Sequence, residues 1–366
     1  MRIAIFHDFI IERGGGERVI KTISKNFKSK IFTCFYDKDR TYPEFRNLKI
    51  FSNKSFFNKP IILNRYAKIL RTYYFFNRQL KNFSEYINKN FDIALFSGFY
   101  SFYFAKYLKI PKIYYIQAEP FFIALDRIGM DIKRNILLRK IIRKIYNLEK
   151  FSLSKMDYIV ANSFYTKKIY EDFYNLDVQY VVYPPVNIKE FYYRSLGDFC
   201  LYVGRLYLHK RVHVVIEAFK KIDNKKLIIV GDGPLKNYVI KAAKNHKNIL
   251  YLGNVEDKTL KELYSTAETV VYITEKEHFG LVPVEANASG KPCIVSNEGG
   301  LKEIITNKKV GVRINKPYLK NLVNVISNKK HLEYWDKNEC IKNAKRFDEK
   351  FFVKNFEKIF RKVYRI

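Results

Sequence analysis

Short apolar runs alternate with longer amphipathic stretches, and the alternation passes through this 366-residue chain twice. In the first half Ile3–Phe9, Lys30–Phe35, Ile93–Ser97, Ile113–Gln117 and Tyr158–Ala161 read as strands. In the second half Phe199–Val203, Lys226–Val230, Ile249–Leu252, Thr269–Ile273, Cys293–Ser296 and Gly311–Ile314 do the same. Runs this short, spaced by helix-length segments, specify strand–helix–strand units and a parallel sheet. The expected class is α/β, with two Rossmann-like doubly wound domains facing across a cleft, at residues 1–190 and 191–346. The stiff, extended Val181-Val-Tyr-Pro-Pro-Val186 suits the connection between them. The terminal stretch 347–366 reads as an amphipathic helix rich in Phe and Lys, expected to pack back on the first domain.

The net charge of +32 is unevenly spread. From Phe45 to Ser84 there are nine Lys or Arg and no acid, interleaved with aromatic residues. From Ile132 to Tyr146 basic and apolar residues separate onto two faces of an expected helix. Basic faces mixed with aromatics suit an anionic membrane surface. A nucleic-acid backbone and an ordinary solvated surface are the rivals. No recognisable nucleic-acid-reading module accompanies the charge, so the membrane surface is preferred. No apolar run reaches the ~18 residues of a membrane span. The opening Met1-Arg-Ile-Ala-Ile-Phe-His-Asp8 reads as a strand rather than a signal peptide, which gives a cytoplasmic protein, peripheral on the inner face of the cell membrane. Cys34, Cys200, Cys293 and Cys340 are scattered and fit free thiols, and the six histidines show no metal-ligand spacing.

The segment from Glu277 to Glu285 carries most of the chemistry. It holds two carboxylates eight residues apart, with His278, Phe279, Gly280, Leu281 and Pro283 between them. A strand ending near Thr274 and a helix starting at Pro283 would put Glu277 in a loop and Glu285 in a first helical turn. Amides of Phe279, Gly280 and Leu281 would then be free to meet an anion. Carboxylates for hydroxyls beside amides for phosphate describe a nucleotide-sugar site. Two glutamates that merely complement a helix dipole are the plainer alternative.

Other strand ends repeat the theme. Arg205 follows Val203-Gly204, and Lys210 lies five residues on; a planar fork and a point charge on one loop can converge on a diphosphate. Gly14-Gly15-Gly16-Glu17 opens the first helix without the spacing of a dinucleotide fingerprint. Gly231-Asp232-Gly233-Pro234 is expected to be structural, with a possible nucleotide contact, and Gly253-Asn254-Val255 offers backbone to a base edge. Asp37-Lys38-Asp39 reads as a solvated turn, although DxD elsewhere marks metal-dependent transfer.

Taken in order, Gly14-Gly15-Gly16-Glu17, Tyr202-Val-Gly-Arg205 with Lys210, Val230-Gly-Asp-Gly-Pro234, Asn248–Gly253, Glu277 to Glu285 and Glu298-Gly-Gly-Leu-Lys-Glu303 resemble glycosyltransferase family 4, retaining enzymes of the GT-B fold. Tyr158–Ser163 and Val182–Val186 are most similar to its mannosyltransferases. The resemblance implies that Arg205 and Lys210 hold the donor diphosphate, Glu277 the transferred sugar and Glu285 the ribose. It implies donor contacts at Gly15, Gly16, Gly231, Val255, His278, Phe279, Gly280 and Leu281. No metal or other cofactor is expected.

The pattern departs from the family at Tyr115-Ile-Gln-Ala-Glu-Pro120, where Gln117 stands at the place of a common histidine. Glutamine bonds hydroxyls but takes up no proton, so an acid–base role there is in doubt. Asp126 matches a run in mannosyltransferase relatives and is a possible donor or acceptor contact, as is Gln117. The function expected is hexose transfer, with mannose from GDP-mannose preferred, to a saccharide or lipid-linked saccharide. A UDP-hexose transferase, a nucleotide-sugar epimerase on the same fold and a basic nucleic-acid-binding protein are the alternatives.

Overall fold

The computed structural model describes residues 1–52, 71–120 and 136–364. The chain divides into two compact units, Met1–Pro185 together with Phe352–Ile366, and Val186–Phe351. In the first unit β1 (Ile3–Ile10), β2 (Ser29–Tyr36), β3 (Ile50–Ser52), β4 (Ile93–Ser97), β5 (Lys112–Ile116), β6 (Tyr158–Ala161) and β7 (Tyr180–Val181) form one sheet in the order β3-β2-β1-β4-β5-β6-β7. In the second, β8 (Phe199–Val203), β9 (Lys226–Val230), β10 (Ile249–Gly253), β11 (Thr269–Tyr272), β12 (Cys293–Ser296) and β13 (Gly311–Ile314) run in the order β10-β9-β8-β11-β12-β13. Every pairing between these strands is parallel.

Each sheet reverses its winding beside its first strand, between β1 and β4 and between β8 and β11. Connections leave such a point in opposite directions, so loops at the strand C-termini part there and leave room for a ligand. The central strands β1, β4, β11 and β12 bury both faces, as apolar parallel strands must, whereas the edge strands β3, β7 and β10 do not.

The last helix, Glu349–Tyr364, buries Phe352, Phe356, Ile359, Phe360 and Val363 in the first unit's core. Phe356 meets Tyr115 edge to face at 5.4 Å, and Phe360 meets Phe27 at 5.0 Å. Each such side chain stabilises by roughly 1.5–3 kcal/mol on burial. The helix starts at Glu349 rather than Phe347 because Asp348 turns the chain, its Oδ1 accepting from the Lys350 amide at 2.9 Å.

Other expectations need correction. The edge strands β3 and β7 were not anticipated, being three and two residues long; Val181, expected in a connector, ends β7. The helix after Glu277 spans Leu281–Ala288, so Pro283 is its third residue. Gly280, at φ +103°, makes the turn instead, and proline is tolerated because first-turn amides have no helical partner. Glu285 consequently lies in the second turn, not the first. Asp37 closes a turn by accepting from the Asp39 and Arg40 amides at 3.0 and 3.2 Å, as a solvated turn should.

Asp126, residues 53–70 of the basic stretch between Phe45 and Ser84, and residues 132–135 of the second basic stretch lie outside the described residues. From Ile136 to Leu153 the chain is helical, with Lys140, Arg143, Lys144 and Lys150 exposed. No described helix is long and apolar enough to cross a membrane.

Candidate active site

β8 and β11 flank the switch point of the second unit, and the side chains that follow them converge. Lys210 donates through Nζ to Glu277 Oε2, and also to the Tyr272 hydroxyl at 3.3 Å. Tyr272 in turn donates to the same Glu277 oxygen at 3.1 Å. Tyr202, on β8, fixes the Lys210 backbone by donating to its carbonyl at 3.1 Å. Burial alone would raise the Glu277 pKa. The Lys210 charge and hydrogen bond, helped by His278 and Tyr272, more than offset it and bring the pKa to about 2. Burial and the neighbouring carboxylate push the Tyr272 phenol well above its usual range. The site thus holds a fixed anion, a fixed cation and a neutral hydroxyl.

A second layer holds the loop behind them. Arg211 adopts φ +50°, in the left-handed region. Its Nη1 donates to the Thr274 carbonyl at 3.1 Å and pairs with Glu298 at 3.4 Å, while the guanidinium lies 4.4 Å from the Tyr318 ring centre. Tyr318 donates to Glu298, whose other oxygen accepts from the Lys276 amide at 3.0 Å. Gly300 donates its amide to the Glu277 carbonyl at 2.7 Å. A Cβ at Gly299 would lie 2.2 Å from the Glu277 carbonyl oxygen, so the Glu298-Gly299-Gly300 turn nests against the Glu277 backbone as only glycine allows.

The remaining expected residues divide by role. Arg205 stacks 5.6 Å from the Tyr207 ring, and its charge reaches Tyr272. Glu285 is buried and accepts from the Tyr264 hydroxyl at 2.9 Å. Phe279 is buried edge to face against Phe347 at 5.4 Å, and His278 is half-buried. Gly280 caps the helix that Leu281 begins. Gly231 sits at φ +133°, where a Cβ would stand 2.0 Å from the Gly204 carbonyl oxygen. Val255 is half-buried in the loop after β10, the edge strand.

In the first unit, Gly14 caps the helix Gly15–Asn26. Gly16 faces Gln117 and His7, and Gln117 donates to the Ser97 hydroxyl. Beside them Asp8 is buried, with its carboxylate accepting from the amides of Phe99 at 2.5 Å, Tyr100 at 3.1 Å and Ser101 at 2.8 Å. Burial outweighs these bonds and raises its pKa to about 6. No cluster of His, Cys, Asp and Glu able to hold a metal is present among the described residues.

Residues 195–347 match the family model described as glycosyl transferases group 1. Residues 195–347 are thus a group 1 glycosyl transferase domain. This domain contains Lys210, Glu277 and Glu285 in one sheet edge. An uncharacterized glycosyltransferase of Methanocaldococcus jannaschii is 36% identical over 188 residues, 47% of either chain. The O-antigen chain mannosyltransferase of Salmonella typhimurium is 33% identical over 178 residues, 45% of this chain and 50% of its own. The chain therefore spans about half the length of these curated relatives. The crystal structure of Anabaena HepE in complex with UDP and glucose shares the fold, with a TM-score of 0.74 at 17% identity over 98% of this chain and 99% of that one. The two-sheet GT-B architecture is thus that of solved glycosyltransferases.

Tyr272, Arg211 and Tyr318, which complete this cluster, were not singled out in the sequence, and Glu298 was not given a role there. Tyr272 hides in an apolar strand run, and its polar end at the last strand position was the available signal. Arg211 was one cation beside another. Glu298 was quoted only as part of a resemblance, and Tyr318 sits in an unremarkable helix start.

Proposed function

We propose that the protein is a retaining glycosyltransferase that moves a hexose from a nucleoside diphosphate sugar to a hydroxyl of a saccharide or lipid-linked saccharide. One observation carries this: Lys210, Tyr272 and Glu277 converge at the β8/β11 switch point inside the matched domain. A cation and a carboxylate on adjoining loops suit a ligand that presents an anion and hydroxyls together. Lys210 and Arg205 take the diphosphate, Glu277 accepts from sugar hydroxyls, and Glu285 with Tyr264 faces the ribose. First-turn amides at Leu281 and its neighbours add a favourable field for phosphate. In transfer, the bond from the anomeric carbon to the phosphate oxygen breaks, the acceptor hydroxyl oxygen bonds to that carbon on the same face, and the hydroxyl proton passes to the departing diphosphate. The two cations stabilise the departing diphosphate, in place of a metal ion.

GDP-mannose is the preferred donor, in keeping with the O-antigen mannosyltransferase among the relatives. The fold neighbour in complex with UDP and glucose makes a UDP-hexose the rival. The exposed cations Lys140, Arg143, Lys144 and Lys150, with exposed Tyr73, Tyr74 and Phe83, support peripheral binding to an anionic membrane. The deciding assay incubates the protein with GDP-mannose or UDP-hexoses and membrane-extracted lipid-linked saccharides, with and without EDTA. Transfer that survives EDTA supports the reading. Strict dependence on Mn²⁺ or Mg²⁺ refutes the metal-free part, and no transfer from any donor refutes the whole.

A further inference from the structure

One face of the first unit's sheet changes character at its C-terminal edge. Ile3 and Ile5, Leu95, Ile113 and Tyr115, and Val160 lie in one apolar cluster. Beyond them on the same face come His7 on β1, Ser97 on β4, Gln117 just after β5 and Asn162 just after β6. A polar row across four neighbouring strands, at the edge where doubly wound sheets take ligands, is more than a core needs.

Ser97 ties the row together. Its carbonyl accepts from His7 Nδ1 and its hydroxyl from Gln117 Nε2, while Asn162 Nδ2 donates to the Gln117 carbonyl at 3.2 Å. A carbonyl only accepts, so the Nδ1 of His7 carries the proton, and in the neutral ring Nε2 is an acceptor. Burial keeps the ring neutral, lowering its pKa to about 4 against the opposing effect of the Ser97 carbonyl. No hydrogen bond to His7 Nε2 or Gln117 Oε1 is made among the described residues. Both side chains face Gly16, where a Cβ would stand 3.4 Å from Gln117 Oε1 and 3.5 Å from His7 Cε1. Glycine there places no side chain against the two groups.

We infer that His7 Nε2 and Gln117 Oε1 form a two-acceptor floor that binds neighbouring hydroxyls of a sugar ring. This rests on the glycosyltransferase reading and adds His7 to the binding residues. Two adjacent acceptors suit hydroxyl donors, whether these belong to the donor sugar or to an acceptor saccharide.

Two substitutions separate binding from structure. In His7→Asn the amide nitrogen keeps the bond to the Ser97 carbonyl but nothing reaches the Nε2 position. In His7→Gln the amide oxygen reaches that position without the Ser97 bond. Calorimetric titration of the full chain with GDP and GDP-mannose, and with UDP and UDP-glucose, reads the donor sugar's share of affinity. Saturation-transfer NMR with methyl α-mannoside reads an acceptor saccharide. His7→Asn is expected to weaken sugar binding about tenfold in one arm while nucleotide binding stays unchanged, and His7→Gln to retain most of it. The arm that responds identifies the source of the hydroxyls. Wild-type behaviour of His7→Asn in both arms, or loss in His7→Gln alone, overturns the inference and leaves His7 as a strut for Ser97. If the wild-type protein binds no nucleotide, the glycosyltransferase reading fails instead, and the mannoside arm still decides His7.

Discussion

Arg211 pairs with Glu298 at 3.4 Å, and the same guanidinium holds the Thr274 carbonyl at 3.1 Å. One side chain thereby joins the start of the Glu277 loop to the turn after β12. Lys210 and Arg211 are chain neighbours with divided labour: the first meets Glu277 directly, and the second fixes the backbone that presents it. Arg211→Lys keeps the charge but loses the fork that reaches two partners. It is expected to cost about 1–3 kcal/mol of stability and to lower kcat/KM by about tenfold or more. Urea unfolding and donor-saturation kinetics measure both, and unchanged kinetics would show that the loop holds its shape alone.

Gly299→Ala tests the nest around Glu277. The residue sits at φ +61°, and its Cβ would strike the Glu277 carbonyl oxygen, a backbone atom with little freedom to yield. Displacement of the Glu277 loop is expected to reduce transfer at least tenfold while the far-ultraviolet circular dichroism stays native. Full activity in a folded Gly299→Ala protein contradicts the nest.

Glu277→Gln and Lys210→Ala are both expected to lose transfer by about 100-fold or more, the scale seen when a group stabilising transition-state charge is removed. Their stabilities should differ. Lys210→Ala strands a largely buried carboxylate and is expected to cost about 3–5 kcal/mol, whereas Glu277→Gln keeps volume and costs less. The double variant should be more stable than the sum of the two losses predicts, because the stranded charge is gone. Thermal unfolding of the four proteins gives the coupling; strict additivity would show no pair.

Acid provides a further handle. The Glu277 pKa is about 2 in the folded protein against an ordinary 4.5, with burial overridden by Lys210. A lowered folded-state pKa contributes stability that is complete above pH about 4.5 and is lost as the pH falls toward 2, on the order of 3 kcal/mol. Unfolding free energy of the wild type should fall more steeply than that of Glu277→Gln across this window. Parallel curves would mean that Glu277 is not held ionised by its neighbours.

The sheets were legible because apolar runs of strand length, spaced by amphipathic segments, admit few other folds; Ile93–Ser97 and Phe199–Val203 match to the residue. The edge strands were not, since two or three residues such as Tyr180–Val181 carry no periodicity. Glu277 and Lys210 stood out at strand ends, where chemistry gathers. Tyr272, Arg211 and Glu298 did not, because their roles arise from a left-handed residue, a close glycine turn and a phenol at a strand tip. His7 was legible as a strand residue and invisible as a ligand, its partner Ser97 lying ninety residues away.

The most direct test of the Lys210–Glu277 site is calorimetric titration of the wild-type chain and Lys210→Ala with GDP, GDP-mannose, UDP and UDP-glucose. Saturable binding of one nucleotide and its sugar to the wild type is expected, weakened at least tenfold by Lys210→Ala. Equal binding by both proteins, or none by the wild type, would contradict it.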